Sequence, residues 1–215
     1  MANSPSPSPP NSRPSLDSKP ESKSDSKSDS KVPTQALLNP VAKRWQKTLS
    51  SHPTAQLATL GAGCFWGVQH LLRAVPGVLG TCTGYAGGKL IDPRYQQVKT
   101  GQTGHAEVVQ ILFDPKVLSF SNLLTYFWRL HDPTDVDRQG VDVGTQYRSV
   151  IFCHNEEQKQ QAEVSKAELV GRNIFSGKNV ATLIQDLPHF YPAEDYHQDY
   201  FANNGGEVCH FYRDY

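Results

Sequence analysis

A cysteine bracketed by glycines, Gly63-Cys64-Phe65-Trp66-Gly67, stands where one periodicity stops and another starts. The run ATLGAG before it reads as the end of a strand. The run FWGVQHLLRAV after it carries Phe65, Val68, Leu71, Leu72 and Val75 at helical spacing, so a helix opens at Phe65. Cys64 therefore belongs on a strand-to-helix turn, between small glycines that let a ligand approach the backbone. A thiol attacks only as the thiolate, and at an ordinary pKa of about 8.5 only a few per cent is ionised near neutral pH. The free N–H groups and dipole of a helix N-terminus favour negative charge, so this placement lowers that pKa. The same context also fits a buried structural cysteine, because free cysteine is among the most buried residue types.

A chain of 215 residues suits one domain. Lysine plus arginine and aspartate plus glutamate number 21 each, which leaves no net field to attract nucleic acid or an anionic membrane. No apolar run approaches the roughly 18 residues that span a bilayer. Cys64, Cys82, Cys153 and Cys209 occur without a C-x-x-C pair, which argues against a zinc ribbon and a thioredoxin-type motif. Sparse cysteines suit a reducing compartment, and a cytoplasmic location is expected.

Residues 1–33 are almost entirely Ser, Pro, Lys and Asp, with the alternation KSDSKSDSK at 23–31. Such a segment cannot bury enough apolar surface to offset its ordering entropy, so a disordered leader is expected. It has no apolar stretch of a secretory signal, and Asp17, Glu21, Asp25 and Asp29 are unlike a transit peptide. Residues 34–55 read as an amphipathic extension packing on the core, and 56–215 as the main domain. Strands are expected near 56–61, 78–85, 105–115 and 180–187, and in YRSVIFCH after residue 146. Helices are expected after Cys64, at 119–133 with Ser119 as cap, and at 155–170 with Asn155 as cap. Two Gly- and Asp-rich loops, at 86–104 and 134–146, are long enough to be functional. The aromatic tail from 188 reads as loop. The order predicts an α+β fold with helices over a mixed sheet.

Six segments in this order give the chain a resemblance. GCFWG at 63–67, GYAGG at 84–88, TGHAEVV at 103–109, FWRLHDPT at 127–134, DVGTQYRS at 142–149 and AEDYHQDY at 193–200 resemble peptide methionine sulfoxide reductase of the A type. The resemblance runs from about residue 57 to 209. It implies reduction of methionine S-sulfoxide, free or in proteins, with thioredoxin supplying the electrons and no other cofactor. A monomer built as a two-layer sandwich around a ferredoxin-like core is expected.

In this reading Cys64 matches the nucleophile, which attacks the sulfoxide sulfur and is left as sulfenic acid. Glu107 matches the proton donor; on an alternating strand, apolar neighbours would desolvate it and keep it protonated. Taken alone, a strand glutamate is usually just the solvent face of a sheet. Tyr95 and Tyr147 match phenols that hydrogen-bond the sulfoxide oxygen, and Asp142 matches an aspartate that orders the site. Phe65 and Trp66, with Gly63 beside the nucleophile, match the apolar wall that receives the methyl on sulfur. His197 is expected to line the site. Cys209, in GGEVCHF, matches a resolving cysteine that closes a disulfide with Cys64, on a segment loosened by Gly205 and Gly206. Val208 stands where some members have tyrosine, and with the chain ending at Tyr215 a single resolving step is expected. Cys82 and Cys153 fall in strands and read as buried bystanders.

Rival readings remain at this stage. In a cysteine hydrolase, His105 or His197 would be the base and Asp142 its orienter. A pure binder would hold oxidised methionine without turnover. A metal could sit among His131, Asp132, Asp135 and Asp137, but their spacing matches no first-row metal site, and no metal is expected.

Overall fold

The structure is a computed structural model that describes residues 40–208 and 210–214, with side chains from residue 44 onward. The leader expected over 1–33 and the cysteine at 209 lie outside the described residues. The first described element is helix α1, Pro40–Ser51. Strand β1, Gln56–Ala62, then leads through Cys64 into helix α2, Phe65–Leu72, as the switch in periodicity predicts. Strand β2, Val78–Ala86, is followed by a single helical turn, α3, Tyr95–Val98. Strand β3, Ala106–Phe113, precedes helix α4, Phe120–Leu130. Two-residue strands β4, Arg138–Gln139, and β5, Asp142–Val143, form a hairpin. Then come strand β6, Ser149–Cys153, helix α5, Glu156–Gly171, and strands β7, Leu183–Asp186, and β8, Phe190–Pro192. Helix α6, Tyr200–Asn204, closes the series.

Six strands form one mixed sheet in the order β7-β6-β1-β3-β2-β8. Only β6 and β7 run parallel; the other neighbours are antiparallel. Central β3 is buried at all eight positions, and its two faces serve two apolar clusters. Val109, Ile111 and Phe113 meet α2 and α4 through Phe65, Val68, Leu72, Leu123, Leu124 and Phe127. Each such buried side chain contributes about 1.5–3 kcal/mol by leaving water. Ala106, Val108 and Leu112 point to the other face, where Trp45 of α1 is buried with Leu49 packed behind it. Glu107 has the parity of the α2-facing set, so its carboxyl is delivered under that helix.

Helix starts follow their caps. The Ser119 hydroxyl accepts the Asn122 N–H at 3.1 Å, and the Asn155 side chain accepts that of Gln158 at 2.9 Å. The structure departs from the sequence reading in several places. The loop at 86–104 contains α3, the loop at 134–146 contains the β4–β5 hairpin, and the tail adds β8 to the edge of β2. The strand expected over 180–187 is confined to Leu183–Asp186. Among the described residues, no helix is long and apolar enough to cross a membrane.

Candidate active site

Cys64 is the N-cap of α2, with φ −57° and ψ 118°, and is half-buried. Gly63 before it has φ +95°, a conformation that L side chains rarely adopt. A methyl there would also lie 2.8 Å from Cβ of Gln139. The turn is thus glycine-specific on two counts. It leaves the first N–H groups of α2 without helical partners. One of them, on Phe65, donates to Oε2 of Glu107 at 3.1 Å. Glu107 is only 2% exposed, so its carboxyl lies within the molecule, one residue from the cysteine along the chain it bonds.

Two phenols share this space. Burial, then the nearby Glu107 and Cys64, followed by Tyr196 and Asp142, pushes the Tyr95 phenol above its ordinary pKa. Burial, then Glu107, Tyr95, Asp142 and Cys64, pushes Tyr147 well above its own. The same five groups therefore sense one another, and both phenols stay protonated donors at neutral pH. Tyr95 is the first residue of α3, Tyr147 ends a 3-10 turn at Thr145–Tyr147, and Asp142 opens β5.

The long loops carry these groups and are fastened to each other. The Thr145 hydroxyl donates to the Gly101 carbonyl at 3.0 Å, and the Gln146 amide to that of Lys99 at 3.3 Å. Arg148 bridges the Thr145 and Gly104 carbonyls at 2.9 and 3.0 Å. Gln139 ties the hairpin to the turn after α4, donating to the Asp132 carbonyl at 2.7 Å and accepting its N–H at 3.0 Å.

Phe65, Trp66, Tyr95 and His197 form an aromatic wall. The His197 ring lies 5.1 Å from Phe65, 5.6 Å from Trp66 and 4.5 Å from Tyr95, centre to centre. Tyr200 stacks on Trp66 at 3.8 Å and 8°. The Trp66 indole N–H donates to Nδ1 of His197 at 3.0 Å. Sequence reasoning missed Tyr85 and Glu194, which complete this wall from behind. The Tyr85 phenol donates to Oε2 of Glu194 at 2.9 Å, and the Tyr95 backbone N–H to Oε1 at 3.0 Å. The AEDYHQDY segment was the available signal, since it places an acid three residues before His197. Cys209 falls outside the described residues, so the structure brings nothing to its role.

Cys82 and Cys153 are buried, 2% and 3% exposed, and burial pushes their thiols up to about 12 and about 11. Neither has the character of a nucleophile. His105 cannot serve as a hydrolase base, because both ring nitrogens are used. Nδ1 accepts the Gly88 N–H at 3.1 Å, and Nε2 donates to the Leu90 carbonyl at 2.8 Å. His131 is spent likewise, on the Phe127 carbonyl and the Ser149 hydroxyl at 3.0 and 2.6 Å. Asp132 accepts two hydrogen bonds from Thr134. Among the described residues no group of three or more His, Cys, Asp or Glu is arranged around a metal.

A thiol at a helix start, a buried carboxyl and two protonated phenols over an aromatic wall make the equipment of a thiol-dependent enzyme that acts on a polar oxygen. Known proteins point the same way. The family model described as peptide methionine sulfoxide reductase matches residues 56–214. A peptide methionine sulfoxide reductase MsrA of Methanosarcina acetivorans is 55% identical over 148 residues, which are 69% of this chain and 78% of the relative. The crystal structure of Mxr1 from Saccharomyces cerevisiae in reduced form superposes with a TM-score of 0.70 at 36% identity, covering 75% of this chain and 94% of that one. The structure of Mxr1 in complex with Trx2 gives 0.52 at 26% identity, covering 75% and 92%. The chain belongs to the peptide methionine sulfoxide reductase family and reduces methionine sulfoxide to methionine.

Proposed function

We propose that the chain reduces the S epimer of methionine sulfoxide at the α2 N-terminus, with Cys64 as nucleophile. The observation that carries this reading is the Glu107 carboxyl, buried and bonded to the N–H that follows Cys64. The Cys64 thiolate attacks the sulfoxide sulfur, and Glu107 gives a proton to its oxygen. The S–O bond breaks as the oxygen takes a second proton and leaves as water. Water then attacks the Cys64 sulfur, the sulfur–sulfur bond formed in the first step breaks, methionine leaves with that electron pair, and Cys64 is left as sulfenic acid. Cysteine is oxidised by two electrons and the sulfoxide reduced by two. Tyr95 and Tyr147 donate hydrogen bonds to the oxygen as charge builds on it, and Asp142 helps orient them. Phe65 and Trp66 receive the methyl, with His197 behind them and Gly63 keeping the turn open. Only one epimer then meets the wall and the donors together.

Cys209 attacks the sulfenic acid, releasing water and forming a disulfide with Cys64. Thioredoxin then reduces that disulfide by exchange; the solved complex of the related Mxr1 with Trx2 supports this donor. The reading needs no metal or organic cofactor and no second copy of the chain, since every named group comes from one chain. Sparse cysteines support a reducing, cytoplasmic setting. We divide the chain into a leader over 1–33, an extension over 34–55 and a catalytic domain over 56–215. The four-strand order β6-β1-β3-β2, with α2 and α4 as crossovers, supports a ferredoxin-like core with helices on one face.

The test is NADPH consumption with thioredoxin and thioredoxin reductase, on separated S and R epimers of a methionine sulfoxide peptide. Wild type should turn over the S epimer alone, and Cys64→Ser should be inert. Turnover of both epimers, or activity in the mutant, would reject this assignment.

A further inference from the structure

We propose that Glu194 is a positioning residue: its carboxylate fixes the backbone of Tyr95 and holds His197 in the tautomer that accepts the Trp66 indole. One charge would then set both the oxygen-binding phenol and the methyl wall. The proposal rests on the reading of Tyr95 and Trp66 as substrate contacts.

The hydrogen bonds leave little choice of protonation. An indole N–H can only donate, so Nδ1 of His197 must carry a lone pair. A neutral ring then bears its proton on Nε2. That nitrogen is buried, has no hydrogen-bond partner, and lies 3.9 Å from Oε2 of Glu194. Glu194 itself is 18% exposed at the side chain and accepts from Tyr85 and Tyr95. Desolvation works against its ionisation, but the Tyr95 N–H, the Tyr85 hydroxyl and His197 outweigh it and hold the carboxyl below its ordinary pKa. It is therefore charged at neutral pH and attracts the Nε2 proton. A proton on Nδ1 instead would face the indole N–H and break the contact that orients Trp66. The arrangement repeats a general rule: the partner of one imidazole nitrogen fixes what the other can do.

Four surrounding elements contribute to the charge balance. Glu194 and Tyr196 face His197 from its own turn, Tyr95 from α3, and Phe65 and Trp66, both uncharged, from α2. Tyr85 of β2 reaches the site through Glu194. Burial lowers the His197 pKa and the Glu194 charge partly restores it. Removing that charge must therefore lower it further.

The experiment combines kinetics and spectroscopy on the full chain. Reduction of a methionine S-sulfoxide peptide with dithiothreitol is followed from pH 5 to 9 for wild type and Glu194→Gln. The variant should lose roughly 10- to 100-fold in kcat/KM, because small misplacements of contact groups cost that much. Its acid limb should move to lower pH, which a merely structural loss would not produce. In wild type, the 15N shifts of His197 should show the proton on Nε2 at neutral pH. A variant with wild-type kcat/KM and an unmoved acid limb would overturn the proposal. So would a wild-type His197 protonated on Nδ1, a result that needs no variant to fold. Tyr95→Phe and Trp66→Leu separate the layers. If these lose activity while Glu194→Gln does not, positioning alone fails; if these keep it, the site reading beneath it fails too.

Discussion

The Glu107 carboxyl accepts the backbone N–H of Phe65 at 3.1 Å, so the acid is bonded to the helix turn whose cap is Cys64. Strand β3 and helix α2 are thereby joined at the point where the proposed nucleophile and proton donor would meet. Glu107→Gln keeps an oxygen for the Phe65 N–H and removes only the proton. Single-turnover reduction of methionine S-sulfoxide should slow by on the order of 10²–10⁴, the usual range for a general acid. KM should change little. A loss below about tenfold would mean that the proton comes from elsewhere.

Tyr95 and Tyr147 reach the site from different loops yet feel the same groups. If both donate to one oxygen, each Tyr→Phe change should lower kcat by about 10²–10³-fold, as loss of one oxyanion donor does. The double variant should lose less than the product of the single losses, because the remaining donor and water re-form around one atom. Multiplicative losses in the double variant would assign the two phenols to separate tasks.

How much of this was legible beforehand depended on what each element rests upon. The Cys64 turn could be read because local signals agree there: glycines, a change of period and an apolar helical stripe. Glu107 could be placed on a strand beside apolar neighbours, but a strand glutamate taken alone usually faces solvent, and only the pairing of β3 between β1 and β2 makes the position buried on both sides. The tail resisted reading because its structure is imposed from outside. Strand β8 has three residues, too few to show a period, and exists by pairing with β2. The hydrogen-bond partners of Glu194, Tyr85 and Tyr95, lie roughly a hundred residues earlier in the chain. The hairpin at Arg138–Val143 is likewise too short for pattern and is held by the Gln139 side chain.

Gly67 owes its identity to His210. A methyl on Gly67 would collide with Nδ1 of the His210 imidazole and lie 3.1 Å from its Cβ, so the whole residue would have to move. His210 is pinned on its other side, where Nε2 donates to the Ala62 carbonyl at 2.8 Å. Gly67→Ala should therefore destabilise the protein by about 1–3 kcal/mol in urea denaturation, a typical cost of overpacking. Adding His210→Ala should recover part of that loss, because the space is released. A double variant no better than the sum of the two singles would mean that the strain lies elsewhere.

Stability should fall in mild acid, and the sign follows from two histidines held neutral. Burial pushes His131 down to about 3, against the partly offsetting Phe127 carbonyl, and pushes His154 down to about 4. His154 meets Thr59 at 2.9 Å, so its ring is enclosed on the sheet. Unfolded, both would titrate near the ordinary value of about 6.5. Between about pH 6.5 and 4 the unfolded chain therefore binds up to two more protons than the folded one. Stability contributed by the neutral rings is complete above pH 6.5 and is lost as pH falls toward the folded values. The slope from these two groups can reach about 2.7 kcal/mol per pH unit. His154→Gln removes one titrating group and retains a partner for Thr59, so its slope should be shallower by about 1.4 kcal/mol per pH unit. Urea denaturation from pH 4 to 7 measures both; equal slopes for the two proteins would show that His154 is not held neutral by the fold.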